Sequence, residues 1–339
     1  MTFEASKIPS TYRKLVVVEP STDFARATRI VEAPLPIPGA GEILMRNRFA
    51  GVNASDPIFA AGGYGNTVTP FDIGIESAGE VAAVGEGVNQ LRVGDAVMHF
   101  GFGGAYAEYR IVKAQEAIAL PAASAEAISV LIAGLTASIG LEVAELRAGD
   151  VVLVTAAAGG VGSYAVQLAR HAGARVIGTC GSEEKAQWLR RLGCERVIDY
   201  RREDLAGVLN REYPNGVDLV FDNVGRHMFD VAVAHLAVFG RVLCVGAVSE
   251  YQGGMQWESV SQVRIYQQLL FKSALVRGFF LSHYPQRFAA HLETLFALIA
   301  QGAISAPVDR HEFQGLETVS AAVAHLHRGG NRGKVVVRL

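Results

Sequence analysis

The pattern of apolar positions changes along the chain, and the change outlines two architectures. Between residues 12 and 120, short alternating or mixed runs recur (YRKLVVVE, EILMRNRFAGVN, SAGEVAAVG, DAVMHF, AYAEYRIV), separated by turns rich in Pro and Gly. Strands of this length and spacing predict an antiparallel, barrel-like domain. From Val151 the rhythm is different. The β-branched run Val151–Val154 leads through a glycine turn into SYAVQLARHA (163–172), whose apolar residues recur at helical spacing. ARVIGTC (174–180), SEEKAQWLRRLGC (182–194) and RVIDY (196–200) continue as strand, helix and strand. VDLVFDNVG (217–225), GRVLCVGAV (240–248) and ALVRGFFL (274–281) add three strands, with helical stretches between most of them. Such alternation predicts an α/β fold with a doubly wound parallel sheet of six strands. The closing GKVVVRL reads as another strand with no parallel partner nearby in sequence. The expected organisation is a β domain of residues 1–124 and 301–339, interrupted by a nucleotide-binding domain of residues 125–300.

Composition narrows the classes. The 339 residues are 50% hydrophobic and 19% charged, with a net charge of −2. This is a soluble globular composition with no basic excess, so no nucleic-acid partner is expected. The longest apolar runs are broken by Gly or charge short of the roughly 20 residues that cross a bilayer, so no membrane association is expected. Glu4, Pro9 and Glu19 leave no apolar signal core in the first twenty residues. Cys180, Cys194 and Cys244 are odd in number and far apart, which suits thiols in a reducing cytoplasm.

The stretch TAAAGGVGSY (155–164) lies between the first strand of the alternation and its helix. Amides at a helix N-terminus, together with its dipole, favour an anion, and glycine lets a pyrophosphate approach the backbone. The fingerprint is Ala157-Ala158-Gly159-Gly160-Val161-Gly162, with alanine in place of its first glycine. Its context assigns it to a dinucleotide. An NAD site usually carries an acid at the tip of the second strand, but here the tip reads Thr179-Cys180-Gly181-Ser182. Glu183 and Glu184 fall in the first turn of the next helix, where dipole compensation accounts for them. The uncharged tip, the Ser182 hydroxyl, Lys185, and Tyr200 followed by Arg201 and Arg202 suit the 2′-phosphate of NADPH/NADP+.

Further motifs complete a resemblance. GVNASD (51–56), GIESAGEVAAVGEGV (74–88), GDAV (94–97), GAYAEY (104–109), AAAGGVG and GKVVV (333–337) resemble the medium-chain dehydrogenase/reductase superfamily over essentially the whole chain. PFDIGIE (70–76), VSEYQGG (248–254) and GFFLSHY (278–284) are similar to its zinc-independent quinone oxidoreductase and enone reductase branch, in particular the prostaglandin reductase 3 group. The resemblance implies a GroES-like catalytic β-barrel interrupted by a Rossmann domain. It also implies NADPH-dependent reduction of the carbon–carbon double bond of α,β-unsaturated ketones and aldehydes. Zinc members of the superfamily carry Cys where this chain has Asn53 and Gly-His-Glu where it has Gly74-Ile75-Glu76, and the four-cysteine zinc lobe is missing. His99, His227 and His283 lack ligand spacing, so no metal is expected.

Hydride addition to an enone needs a donor at the carbonyl oxygen and an acid for the α-carbon. Tyr251 follows the fifth strand of the alternation, where ligands of such sheets bind. By resemblance it matches a tyrosine near the substrate ketone, and Tyr64 matches the proton donor of related enoyl-thioester reductases. Other positions implied by the resemblance are cofactor contacts: Asn53, Thr136, Asn223, Gly246, Ala247, Val248, Phe279, Phe280, Leu281 and Asn331. Together they are expected to trace one groove between the domains. The 252–272 stretch is expected to shape a pocket for a lipid-like or aromatic enone. Two alternatives stay open, an NADPH:quinone oxidoreductase and a weakly catalytic NADPH-binding protein of the lens-structural or RNA-binding kind. A homodimer joined through the edge strand near 274–281 is also expected.

Overall fold

In the computed structural model, which describes residues 8–65, 68–251 and 265–339, the chain divides into two units. One comprises Met1–Ile128, Glu312–Leu326 and Val336–Leu339; the other comprises Ser129–His311 and His327–Val335. Residues 301–311 and 327–335 thus lie with the second unit, tied there by Lys334 N–H donating to Pro307 O (2.8 Å) and Gly333 N–H to Ala158 O (2.9 Å).

Eight strands come first: β1 (Thr11–Val17), β2 (Thr28–Pro34), β3 (Glu42–Gly51), β4 (Phe71–Asp72), β5 (Glu76–Val84), β6 (Ala96–Phe100), β7 (Tyr109–Lys113) and β8 (Ile118–Ala119). The second unit holds β9 (Val151–Val154), β10 (Arg175–Cys180), β11 (Arg196–Asp199), β12 (Val217–Asp222), β13 (Leu236–Cys244) and β14 (Leu275–Gly278). β15 (Phe313–Gln314) and β16 (Val336–Arg338) return to the first.

In the first unit β3 is the hub, pairing antiparallel with β5, β7 and β16. Its Ile43, Leu44, Met45 and Ala50 are buried. The closing strand finds its neighbours at long range, antiparallel to β3 and parallel to β15, which explains why nothing nearby in sequence announced a partner. β1 pairs with β2 and β4 in a separate sheet. β2 was not anticipated, because most of its residues are exposed or only half-buried and it lacks an apolar stripe.

In the second unit the described residues form a six-stranded parallel sheet in the order β11-β10-β9-β12-β13-β14. Numbered within the unit, this is the 3-2-1-4-5-6 order of a doubly wound fold, with its direction reversing between β9 and β12. Leu153, Ile177, Ile198, Val220 and Val242 from five adjacent strands share one core cluster with Val208, Leu209 and Val233 of the covering helices.

The helical stretch Ala125–Val143 corrects the expectation that no apolar run is long enough to cross a membrane. It is 19 residues long and contains an 18-residue window with a mean hydropathy of 1.6, so it satisfies that test by length and composition, yet 72% of that window is buried inside the protein. Gly134 and Gly140 look like breaks in the sequence but lie within the helix. A Cβ at Gly140 would come 3.0 Å from Phe221 Cε2, so glycine there allows close packing on β12.

His99 on β6 is 6% exposed, and burial, reinforced by Arg110, lowers its pKa from 6.5 to about 3. The unfolded chain takes up a proton near 6.5 and the folded chain only near 3. Stability is therefore intact above about 6.5 and declines as pH falls toward 3, by up to about 1.4 kcal/mol per pH unit from this group. Urea unfolding between pH 7 and 4 should show His99→Gln losing stability less steeply than the parent protein. Parallel slopes would show that His99 does not govern the acid limb.

Candidate active site

The strand order reverses between the carboxyl ends of β9 and β12, and a hydrogen-bonded cluster joins them there. Thr155 Oγ1 donates to Asp222 Oδ1 (2.7 Å) and accepts from the Asn223 N–H (2.8 Å). The Asn223 side-chain amide donates to Thr155 O (2.8 Å). Asp222, 1% exposed, also accepts from the amides of Val224 (3.0 Å) and Gly225 (3.1 Å). Burial raises its pKa, while the Thr155 hydroxyl and the two amides oppose that rise. Neither Thr155 nor Asp222 was singled out in the sequence; a polar residue ending each of two apolar runs was the available signal.

The glycine turn leaves β9 beside this cluster. Gly159 caps the helix Gly160–His171 without a side-chain bond, so the first-turn amides are uncapped by any hydroxyl or carboxylate. Gly162 serves packing: a Cβ there would come 2.8 Å from Ala157 Cα and closer still to Ala156 O. Gly159 is different, since its Cβ would meet only Ala156 O at 3.3 Å. Alanine is accommodated at 157 because Gly178 on β10 makes room: a Cβ at Gly178 would sit 3.0 Å from Ala157 Cβ. Thr179 is fully buried, and its hydroxyl accepts the Ala156 N–H (3.2 Å). It braces the turn from behind, so its side chain is shielded from any ligand, contrary to the contact expected of it. Ala157 is also fully buried and Ala158 nearly so.

The returning segment lies against the same turn. Gly333, at φ 80°, forms a bridge with Gly159, and Asn331 Nδ2 donates to Gly333 O (2.8 Å). Lys334, 3% exposed, has Cδ 3.4 Å from the place a Gly160 Cβ would occupy. Lys334 was not assigned a role from the sequence; its position in GKVVV was the only pointer.

At the far end of β10, Ser182 caps the helix Glu183–Leu192 by accepting the Lys185 N–H (3.3 Å). Lys185 Nζ donates to Gly329 O (2.8 Å), and desolvation lowers its pKa. The Tyr200 hydroxyl would lie 2.7 Å from a Cβ at Gly181, so glycine at this strand tip leaves room for the exposed tyrosine. Val161 and Thr136 were also expected at the cofactor: Val161 lies in the first turn of the helix Gly160–His171, and Thr136 is buried and follows a π-turn at Val130–Gly134, a local distortion common at functional sites.

Beyond β12 and β13, Gly246 N–H donates to Asp222 O (3.2 Å) and Val248 N–H to Asn223 O (3.2 Å). The Ala247 N–H donates to the Tyr251 hydroxyl (3.1 Å), whose pKa burial raises. The Tyr251 oxygen therefore accepts from the backbone and keeps its own hydrogen for another acceptor. Phe279 stacks on Tyr284 with ring centroids 5.1 Å apart, Leu281 is buried and Phe280 is 41% exposed. Of the 252–272 stretch expected to shape a pocket, residues 252–264 lie outside the described residues.

In the first unit Asn53 Nδ2 donates to Gly51 O (3.3 Å) and Glu76 Oε1 (3.2 Å), and its N–H donates to Asp56 Oδ2 (2.9 Å). The fully buried Tyr106 hydroxyl also donates to Asp56. Tyr64 stands among aromatic rings: Phe102 at 4.8 Å and Phe59 at 5.7 Å, with Phe71 stacked on Phe59 at 5.9 Å. Its expected role as proton donor came without any sign of this surrounding wall, which only folding assembles.

A doubly wound sheet with an uncapped glycine turn at its first crossover defines a dinucleotide-binding protein. Two family models match the chain, the alcohol dehydrogenase GroES-like domain at residues 39–122 and the zinc-binding dehydrogenase at residues 160–297. The chain is 44% identical to prostaglandin reductase-3 of Mus musculus over 347 residues, covering 99% of this chain and 92% of that protein. It is 42% identical to a probable quinone oxidoreductase of Leishmania amazonensis over 338 residues, covering 98% and 99%. The crystal structure of Escherichia coli quinone oxidoreductase complexed with NADPH matches with a TM-score of 0.84 at 29% identity, covering 96% of this chain and 100% of that one. This chain belongs to the medium-chain dehydrogenase/reductase superfamily, with a GroES-like unit and a Rossmann unit.

Zinc, which one family model's name implies, does not fit the residues present. Ile75 has no ligand atom, the Asn53 amide is engaged by Gly51 and Glu76, and no three His, Cys, Asp or Glu among the described residues converge as a metal site. A dinucleotide does fit, because Gly159 leaves the turn open to an anion and its neighbours supply backbone donors.

The two glycines of the turn should separate by experiment. Gly162→Ala should lower the stability of the ligand-free protein by about 1–3 kcal/mol through overpacking. Gly159→Ala should leave unfolding nearly unchanged and weaken NADPH binding in a fluorescence titration. The reverse pattern would exchange their roles.

Proposed function

We propose that this protein reduces the carbon–carbon double bond of α,β-unsaturated ketones and aldehydes with NADPH. The observation that carries the reading is the Tyr251 hydroxyl, which accepts the Ala247 amide at the carboxyl ends of β12 and β13 and retains a hydrogen to donate. The bound cofactor supplies hydride. Gly159, Gly160, Val161 and Gly162 would hold its pyrophosphate at the helix N-terminus, and Ser182, Lys185 and Tyr200 its 2′-phosphate. Thr136, Asn223, Gly246–Val248, Phe279–Leu281 and Asn331 would line its length, with Asn53 toward the nicotinamide ribose.

The chain's own chemistry is proton placement. Tyr251 donates toward the substrate carbonyl oxygen, stabilising the negative charge that develops there. Tyr64 is the residue we assign to proton delivery at the α-carbon. Its setting among Phe59 and Phe102 also favours a second reading, quinone reduction, because flat aromatic rings suit a quinone. The likeness to a probable quinone oxidoreductase supports the same alternative.

The protein is further proposed to act in the cytoplasm as a homodimer. Cys180, Cys194 and Cys244 are all free thiols, as in a reducing compartment. β14 is the edge of the parallel sheet, and Phe239, Leu270, Phe271 and Leu275 are exposed on that unit. An apolar edge of this kind invites pairing with a second copy.

The reaction is tested with a medium-chain enone and deuterium-labelled NADPH. The saturated ketone should form, with deuterium at the β-carbon and solvent hydrogen at the α-carbon; an allylic alcohol would refute the assignment. Tyr251→Phe should lower kcat/KM by roughly 10- to 1,000-fold as a lost oxyanion donor. A drop only in Tyr64→Phe would move the principal role to Tyr64, and quinone turnover without enone turnover would establish the second reading.

Lys185→Ala should weaken NADPH binding by about 1–3 kcal/mol, as for a hydrogen bond to a charged group, and leave NADH nearly unaffected. Equal losses for both would remove Lys185 from the 2′-phosphate site.

A further inference from the structure

Phe102 is the single large side chain in the loop Gly101-Phe102-Gly103-Gly104, and two unusual features meet at this loop. The first is the exposed aromatic ring. Phe102 is 44% exposed, although it touches Tyr64 (4.8 Å between centroids), Phe59 (5.7 Å) and Phe100 (6.0 Å). Phe59 itself is fully buried, so the wall is anchored in the core while its outer ring faces outward.

The second feature is the buried charge beneath the loop. Arg110 on β7 is 8% exposed and forms no ion pair among the described residues. Its Nη2 donates to Gly103 O (2.7 Å) and Gly101 O (3.4 Å), the carbonyls on either side of Phe102, and Nη1 donates to Ser77 Oγ (3.3 Å). Burial without a touching carboxylate brings the guanidinium down to about 10. Burying a cation is unfavourable unless its donors are used. Here Nη2 is used on the loop backbone and Nη1 on Ser77, while Nε has no hydrogen-bond partner among the described residues. The loop cannot hold that shape through its own residues. Gly103 and Gly104 take φ of 96° and 80°, conformations that carry no preference for one geometry in glycine. The Gly101 and Gly103 amides add bonds to Ile75 O and Gly74 O (2.9 Å each), so the backbone flanking Phe102 is pinned from both sides.

A core phenylalanine needs no such support, and a solvent-facing one has no use for it. We infer that Phe102 is a recognition platform for a planar, apolar portion of the substrate, and that Arg110 is the positioning residue that holds it. The inference rests on the enone-reductase reading above and narrows its substrate class to enones bearing a flat ring or extended conjugation.

The test compares benzylideneacetone with its cyclohexyl analogue, which has similar size but no flat ring. The parent enzyme should prefer the phenyl enone in kcat/KM, mainly through KM. Phe102→Leu should reduce that preference by about 3- to 10-fold, the scale of one aromatic stacking contact. Arg110→Met should reduce it in the same way. Arg110→Lys, a single-point donor in place of a fork, covers the case in which the methionine variant fails to fold. A purely structural role for Arg110 would lower both substrates alike and leave their ratio unchanged, which would overturn the positioning role. An unchanged ratio in Phe102→Leu would overturn the platform. If the parent protein reduces neither enone, the reaction assignment falls instead. Calorimetric binding of benzylacetone and its cyclohexyl analogue to the NADP+-loaded protein then decides the platform by the same ratio: weaker phenyl selectivity in Phe102→Leu supports it, equal selectivity refutes it.

Discussion

The second unit depends on one buried carboxylate. Asp222 ends β12 where the sheet reverses direction, and its two oxygens collect the Thr155 hydroxyl and the amides of Val224 and Gly225. Without those donors a carboxylate buried this deeply would be strongly unfavourable. With them it locks the carboxyl ends of β9 and β12 into one register and sets the direction of both loops that leave there. The glycine turn departs from one side and the Asn223 loop from the other. The opening at the glycine turn follows from that divergence, because neighbouring parallel strands elsewhere in the sheet send their loops the same way.

The glycine turn then divides its labour. Gly162 lets the helix press onto the strand end, and Gly159 leaves the approach open. The alanine at position 157 is compensated one strand away by Gly178. The C-terminal return adds Gly333 and Asn331 as a backbone cover. A motif that looks local is thus completed by residues roughly 20 and 175 positions further along the chain.

Buried polar groups organise the first unit in a different way. Asn53, Asp56, Glu76 and Tyr106 form one hydrogen-bonded group. Glycine at position 51 leaves room for the buried Glu76 side chain, since a Cβ would come 2.7 Å from Glu76 Cδ and force that side chain to move. Arg110 does for the Phe102 loop what Asp222 does for the switch point: a buried charge bonded to backbone groups fixes irregular chain that has no ladder of its own, although the Arg110 Nε is left without a partner among the described residues.

Much of this was legible in the residues. Period-two runs and alternating strand–helix segments specify the two architectures, because burial on one or both faces of a sheet imposes those patterns on any sequence. The anion turn was legible because backbone approach demands glycine, and the likeness to a superfamily supplied the tyrosines and the cofactor path as expectations. The rest was decided by tertiary structure. Thr179 reads as a ligand contact at a strand tip, yet its fully buried hydroxyl accepts the Ala156 amide behind the turn, a fact set by the neighbouring strand. The helix Ala125–Val143 was hidden because Gly134 and Gly140 look like breaks until their packing partners are in place. Phe59, Tyr64, Phe71 and Phe102 carry no shared spacing, and only the pairing of strands gathers them into a wall. A one-dimensional pattern records which face of an element is buried; it holds no record of which distant groups meet there, since those contacts are chosen by sheet order and register.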